Sequence, residues 1–464
     1  MGLAESLEKG GAVMFFERDI WKSLVKWKNT SKLTLEVHGA RQVGKTTVLK
    51  KFCEEEFDNF IYVNMAGQSG ADFLCCIEKW HNKYFGTHTN RTWISELLKM
   101  YEPAFKDSED TVVLIDEIQE SSQVYNLTRD LTRDLKTKVI VTGSYLGKVL
   151  DKEFFIPAGD VYSVTVYTMS FPEFLGALGR RELQKEYYDK NANNEELAFL
   201  LGVYLQTGGY PSVVREYLET GDIGECYDTL EQIVNNFVSE SLRYFTTIED
   251  VSVLTRVLGA IATLALKEKQ GREDLAVEIG RLVEKDKIKI SRKVVTKAIA
   301  WLRQSGIIGY STKLINADPT SAAMSARMYF QDTGVANYFA RLSGFDSGTR
   351  IGFLVENYAY VVLRNRFYPG GKTSHVVFGM EPMFSVCTSN GGELDFVLCG
   401  ESGKRIGIEV KAGKNKANTG KAMLEESLID QLFILKGNTE CEETGSIVTL
   451  PLYFLDIIKF SFRE

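Results

Sequence analysis

The sequence predicts an α/β protein: a parallel sheet built around a phosphate-binding loop, a helical segment beside it, and further units towards the C-terminus that end in a second α/β sheet. Three observations carry this. Residues Gly39 to Thr47 read Gly-Ala-Arg-Gln-Val-Gly-Lys-Thr-Thr, a complete G-x-x-x-x-G-K-[ST] loop between the apolar run Leu33–Val37 and the helix-forming stretch Thr46–Phe52. Thr111–Ile118 (TVVLIDEI) then delivers an acid at the end of an apolar run. From Met328 onward, strand-like alternation surrounds an aromatic-rich helix.

The loop comes first because its chemistry is the most specific. Glycines at both ends let the backbone wrap a polyphosphate with its N–H groups turned inward. The helix that follows adds partial positive charge there. Gly39, Ala40, Arg41, Gln42, Val43, Gly44, Lys45, Thr46 and Thr47 are therefore expected to cradle a nucleoside triphosphate, with Lys45 on the β/γ-phosphates and Thr46 on Mg²⁺. Phe60–Val63 reads as the second strand. Asp116 falls at the C-terminal edge of the third, the edge that faces the ligand in a parallel sheet, and is the second expected Mg²⁺ ligand. Glu117, directly after it, is placed to polarise an attacking water as general base. Val139–Thr142 is a further strand whose tip carries Ser144, the candidate for sensing the γ-phosphate.

Bulk properties narrow the rest. A chain of 464 residues has room for about two to four domains. Its 44% apolar and 25% charged residues describe a globular protein, and no apolar run approaches a membrane span. The N-terminus lacks a basic region followed by a hydrophobic one, so the cytoplasm is the expected location. A net charge of −7 argues against coating nucleic acid over the whole surface, yet leaves room for a local basic face. Seven scattered cysteines form no paired C-x-x-C pattern, and the four histidines do not cluster with them. Reduced core cysteines, rather than zinc ligands, are expected.

Together the loop, Leu-Ile-Asp-Glu-Ile-Gln, Val-Thr-Gly-Ser, Ser170-Phe171-Pro172-Glu173-Phe174-Leu175 and Gly208-Gly209-Tyr210-Pro211 resemble the AAA-type ATPases common in archaea and bacteria. The resemblance covers essentially the whole chain. It implies a five-stranded parallel sheet in which another strand separates the loop strand from the Asp116 strand. It also implies ATP as nucleotide, and the roles above for Lys45, Thr46, Asp116, Glu117 and Ser144. One departure stands out: many relatives carry Gly-Arg where this chain has Gly159-Asp160. Arg41, Arg129, Arg133 and Arg215 remain as charge-stabilisers, and the sequence does not choose among them.

The expected units are an ATPase core over residues 1–170, a helical lid over 171–246, a winged-helix-like domain over 247–315 and a nuclease-like domain over 316–464. Gly208-Gly209-Tyr210-Pro211 breaks the lid as a hinge or a nucleotide-sensing turn. Leu254 to Leu314 reads as three helices and a hairpin. The third runs from an N-cap at Ser291 to about Gln304, stopped by Gly306, with Ile307–Leu314 as the wing. Between Glu284 and Lys313 there are eight Lys and Arg against two acids. Arg292, Lys293, Lys297 and Arg303 lie off the apolar stripe. This resembles a recognition helix that touches phosphate backbone, although a connector with solvated charges has the same pattern.

In the C-terminal unit Phe353 to Phe367 reads as a helix with Glu356 near its start. Glu393–Leu398 and Arg405–Lys411 read as neighbouring strands. Alternation puts Glu409 and Lys411 on one face, with Asp395 approaching from the next strand. The spacing D-x₁₃-E-x-K resembles the PD-(D/E)XK nuclease core. It implies Asp395, Glu409 and Lys411 as catalytic, Asp395 and Glu409 as Mg²⁺ ligands, and Glu356 as a fourth member. Lys404, Arg405, Lys414, Lys416 and Lys421 would suit a phosphate backbone. The same fold also serves as an inactive clamp. The expected function is an Mg²⁺-dependent ATPase coupled to a C-terminal half that binds, and in one reading cuts, DNA or RNA. The alternative is a nucleotide-regulated switch whose silent nuclease-like domain binds a protein partner. The oligomeric state is not legible.

Overall fold

The computed structural model describes residues 15–84, 93–143, 153–155, 159–190, 194–244, 252–265, 279–281, 292–322, 326–368, 381–412 and 417–462. Two sheets organise them. The first contains β1 (Thr34–His38), β2 (Asn59–Asn64), β3 (Thr111–Asp116), β4 (Lys138–Thr142) and β5 (Val161–Thr165). All pair in parallel, in the order β2-β3-β4-β1-β5. β4 thus separates the loop strand from the acid strand, which leaves a crevice above their C-terminal ends.

Helices cover both faces of this sheet, which is why its strands read as continuous apolar runs. α1 (Ile20–Thr30) precedes β1, and α2 (Lys45–Glu56) follows the loop. α3 (Gln68–Tyr84) and α4 (Trp93–Tyr101) fill the crossover to β3, and α5 (Ser122–Asn126) and α6 (Thr128–Asp134) that to β4. Strand alternation divides the core. Val112 and Leu114 face the cluster holding Val48, Leu49 and Phe52 of α2, whereas Val113 and Ile115 face Phe73, Ile77, Leu97 and Leu98 of α3 and α4. Each such fully buried side chain contributes about 1.5–3 kcal/mol.

The helical segment comprises α7 (Phe171–Ala177), α8 (Arg181–Tyr188), α9 (Glu195–Thr207), α10 (Pro211–Thr220) and α11 (Ile223–Tyr244), followed by α12 (Ser252–Ala265) and α13 (Arg292–Gln304). α7 starts at a reciprocal cap. Ser170 Oγ accepts from the Glu173 amide, Glu173 Oε2 accepts from the Ser170 amide, and Pro172 fits the first turn.

The second sheet has eight strands: β6 (Ile308–Ile315), β7 (Ala326–Phe330), β8 (Met383–Val386), β9 (Glu393–Cys399), β10 (Arg405–Lys411), β11 (Gln431–Lys436), β12 (Glu442–Thr444) and β13 (Ile447–Pro451). Their order is β12-β13-β11-β10-β9-β8-β6-β7. α14 (Thr333–Leu342), α15 (Ser347–Phe367) and α16 (Asn418–Glu425) complete the unit. The expected pairing of the Asp395 and Glu409 strands is present, antiparallel, with Phe396 opposite Ile408.

Two expectations need correction. The segment read as a wing is β6, which pairs antiparallel with β7 and parallel with β8 inside the larger sheet. A boundary at 315 therefore cuts a hairpin whose inner strand is built into the C-terminal core. Second, α15 begins at Ser347, capped by Asp346, so Glu356 lies in the middle of that helix rather than near its start. Ser291 lies outside the described residues.

The two halves are stitched through the glycine motif. The Met169 amide donates to Gly209 O, and the Gly209 amide donates to Asp332 Oδ2, whose other oxygen caps α14 at Val335. A Cβ on Gly208 would stand 2.2 Å from Asp332 Oδ1, and Gly208 has φ of +72°. Only glycine fits there. The motif read as a hinge or sensing turn is, in the structure, a tightly packed joint.

Candidate nucleotide site and C-terminal acidic cluster

The phosphate loop closes over its own lysine. Gly39 has φ of +143°, and a Cβ there would lie 2.2 Å from Val166 O. Gly44 (φ +91°) opens α2 from the left-handed region. Lys45 Nζ donates to Gly39 O at 2.8 Å and Ala40 O at 2.7 Å. Burial pushes its ammonium down to about 8, and the charges of Glu117 and Asp116 oppose that shift. The loop carbonyls are stand-ins: a phosphate arriving above the loop offers the lysine a better acceptor.

Thr46 and Asp116 meet as the sequence implies. Thr46 Oγ1 donates to Asp116 Oδ2 at 2.8 Å, Tyr62 OH donates to the same oxygen at 3.1 Å, and the Glu117 amide donates to Oδ1 at 2.8 Å. A hydroxyl and a carboxylate 2.8 Å apart, beside a lysine, are oxygen donors of the kind Mg²⁺ takes, and Thr46 and Asp116 would hold it. Glu117 sits in the left-handed region (φ +50°), a conformation uncommon for a residue with a side chain. Its Oε2 accepts from Gln119 Nε2 at 2.5 Å, so a buried amide holds the carboxylate. Ser144 lies outside the described residues.

Sequence reasoning missed Arg18. Its guanidinium donates to Val43 O of the loop (2.9 Å), to Tyr167 O (2.7 Å) and to Glu173 Oε1 (3.1 Å). Glu173 therefore does two jobs, capping α7 and anchoring the arginine that braces the loop. The α7 segment entered the sequence reading only as a family motif, and its cap is seen in the structure; a brace from 25 residues upstream of Val43 has no local signal.

The four arginines left open sort themselves. Arg129 and Arg133 both bind Asp160, at 3.2 and 2.8 Å, so the departure at Gly159-Asp160 has a local use: the acid orients two half-exposed arginines of α6. Arg41 pairs with Glu240 of α11 at 3.2 Å. Arg215 lies over the Phe16 ring, 6.0 Å from its centroid, and its buried Nε has no hydrogen-bond partner among the described residues. A cavity of about 1470 Å³ adjoins the loop through Gly39, Ala40 and Val43 and extends to Arg303, Arg364 and Asp456. Lys45, Thr46, Asp116 and Glu117 do not line it, so it lies beside the triphosphate seat.

The C-terminal acids converge differently. Glu409 Oε1 takes Lys411 Nζ at 2.8 Å and Oε2 takes the Gly420 amide at 3.1 Å. Asp395 Oδ2 accepts from the Val410 amide at 2.7 Å. Glu356 Oε1 accepts from Tyr329 OH (2.5 Å) and from Arg327 (3.1 Å), and Arg327 also pairs with Glu393. Arg327, which the sequence reading passed over, thus joins two of the acids. Burial, then the Glu356 charge, pushes the Asp395 carboxyl up, while Lys411 and Arg327 pull it back. Among the described residues no three His, Cys, Asp or Glu side chains form a metal-holding group. Both oxygens of Glu409 thus already accept a donor, Lys411 on one and the Gly420 amide on the other.

The basic side chains expected around this cluster are scattered. Arg405 opens β10 while Lys411 closes it, which separates them by about 20 Å. Arg405 is tied to Ser427 O, whereas Lys421 of α16 is exposed next to Gly420. Lys414 and Lys416 lie outside the described residues.

Comparison with known proteins agrees with the loop geometry. Residues 31–175 match the family model AAA_14, an AAA domain. Residues 199–346 and 351–455 match two domains of unknown function, DUF8612 and DUF4143. The N-terminal sheet is thus an AAA-type P-loop ATPase domain. Along the chain, an uncharacterized protein of Haemophilus influenzae is 20% identical over 357 residues, covering 76% of this chain and 80% of that one. Among solved structures, the Walker-type ATPase PabY2304 of Pyrococcus abyssi is 19% identical with a TM-score of 0.45, covering 70% of this chain and 96% of that one. The ORC1 protein of Aeropyrum pernix, solved in complex with DNA, is 14% identical with a TM-score of 0.31, covering 72% and 95%. Among the described residues no helix is long and apolar enough to cross a membrane.

Proposed function

We propose that the chain hydrolyses ATP with Mg²⁺ and uses nucleotide occupancy to reposition its C-terminal half. The convergence of Lys45, Thr46 and Asp116 carries this reading. Thr46 and Asp116 would hold the metal, which would screen phosphate charge and orient the terminal phosphoryl group. Lys45 leaves its carbonyls for the β/γ-phosphates, and Glu117, steadied by Gln119, takes the proton of the attacking water. Phosphate release with Mg²⁺, lost in Lys45→Ala and Glu117→Gln while the fold persists, tests it. A purified protein that releases none sinks it.

The partner end is α13. It buries Val295, Ala298, Ile299, Trp301 and Leu302 and exposes Arg292, Lys293, Lys297 and Arg303. Gly306, just beyond it, packs against Ala40: a Cβ there would lie 3.6 Å from the Ala40 Cβ. A basic helix whose far end touches the phosphate loop suits a nucleic-acid backbone whose grip follows the nucleotide. Affinity for DNA or RNA that falls steeply with salt, and weakens in Lys293→Glu/Lys297→Glu, is the expected result. Salt-independent or absent binding favours the protein-partner alternative.

For the acidic cluster a specific observation favours the silent reading. Arg327 and Lys411 already supply fixed cations to Glu356, Glu393 and Glu409. We read the C-terminal sheet as a platform, and expect no cleavage of DNA or RNA in Mg²⁺ or Mn²⁺.

A further inference from the structure

The third residue of the phosphate loop is gripped from the helical segment. Arg41 Nη1 lies 3.2 Å from Glu240 Oε1, and the two side chains are unequally placed: Arg41 is 43% exposed and Glu240 only 7%. Glu240 therefore belongs to the packed face of α11, while Arg41 is the more exposed member. The carboxylate is also felt by Lys45, whose ammonium it helps keep charged against burial. Glu240 adds its negative charge to those of Glu117 and Asp116 beside the loop's cations. With a polyphosphate seated, the same carboxylate opposes the ligand and competes for Arg41.

We propose that Glu240 is a displaceable substitute for the nucleotide's phosphates, and that the Arg41–Glu240 pair is how α11 reads occupancy of the loop. The inference rests on the nucleotide-binding reading above and adds a residue to it. Phosphate draws Arg41 away, and the buried carboxylate loses that ion pair, a cost that shifts the end of α11. That helix packs on α10 and α14, and the chain leads from it into α12, which packs on α13, α14 and β7. α10 itself begins at Pro211, whose Cγ lies 3.5 Å from where a Gly44 Cβ would stand. The helix that loses its ion pair thus packs on α10, beside the loop, and on α14 of the C-terminal unit.

The test is titration calorimetry of the full chain with Mg·ATP, Mg·ADP and AMP, for wild type, Glu240→Gln, Arg41→Gln and the double variant. Glu240→Gln should tighten Mg·ATP by about tenfold, Mg·ADP by less and AMP least, since the repulsion removed scales with ligand charge. Its gain should shrink when Arg41 is already Gln. Hydrogen exchange over Ile223–Glu240 should rise in the wild type when Mg·ATP is added. A wild type that binds Mg·ATP, alongside a folded Glu240→Gln variant with equal or weaker affinity, overturns the inference and leaves the ATPase reading standing. So does unchanged exchange over α11 on binding, which needs no variant at all. No binding of any nucleotide by the wild type overturns both.

Discussion

The two sheets each present acids beside a lysine, and they neutralise those acids in opposite ways. Around Asp116 the donors are hydroxyls and a backbone amide, from Thr46, Tyr62 and Glu117, while the neighbouring Lys45 is spent on loop carbonyls. Around Glu356 and Glu409 the donors include Arg327 and Lys411, permanent charges bound directly to carboxylate oxygens. Neutral donors give way to a divalent cation at the cost of a hydrogen bond, whereas a fixed cation must be expelled with its charge unpaired. Carboxylates in a motif mark where a metal could sit. The partners of those carboxylates decide whether the place is available.

The largest effects should come from the first site. Glu117→Gln should lower the hydrolysis rate roughly 100- to 10,000-fold while Mg·ATP affinity changes little, because the amide keeps the shape and loses the base. Lys45→Ala should instead remove affinity and turnover together. Single-turnover phosphate release and equilibrium binding separate the two, and equal loss of binding in both variants would break the assignment of Glu117. At the second site the sign reverses: the informative loss is stability. Arg327→Ala leaves Glu356 and Glu393 without their shared cation and should cost about 3–5 kcal/mol in urea unfolding. If the comparison holds, Mn²⁺ stabilises that variant more than the wild type. Equal Mn²⁺ stabilisation of both would mean that the wild-type cluster is open to metal after all.

How much of this was legible follows from range. The loop and the β3 acid are written in fewer than ten consecutive residues each, and the structure brings Lys45, Thr46 and Asp116 together as the resemblance implies. The pairing of β9 with β10 was equally local, since the two strands are joined by a short turn. What stayed hidden needed partners far along the chain. Arg18 reaches Glu173 across 155 residues, Gly209 reaches Asp332 across 123, and Arg327 reaches Glu393 across 66. The misread wing has the same origin. Ile308–Ile315 alternates like any hairpin arm, and only its pairing with Met383–Val386 reveals which sheet owns it.

Asp456 sharpens the comparison with the smallest effect, because it is a carboxylate of the second unit attended, like Asp116, by a hydroxyl. Tyr358 OH donates to its Oδ2 at 2.6 Å, while the neighbouring Arg366 donates to Leu455 O and Ile458 O instead. Burial, only partly offset by Tyr358 and the Arg366 charge, pushes the carboxyl up to about 6. The folded state thus holds this proton more tightly than the unfolded chain does. Its contribution to stability is complete below the ordinary carboxylate value and is lost as pH rises to about 6, leaving a penalty at neutral pH. Asp456→Asn keeps an acceptor for Tyr358 and removes the charge. It should stabilise the protein at pH 8 by up to about 3 kcal/mol, an upper bound because part of the side chain faces the cavity. That gain should fade towards pH 4. Urea unfolding across this range reads it directly: a gain independent of pH would place the effect in packing, and a loss at pH 8 would mean that Arg366 supports the charge in the way Arg327 supports Glu356.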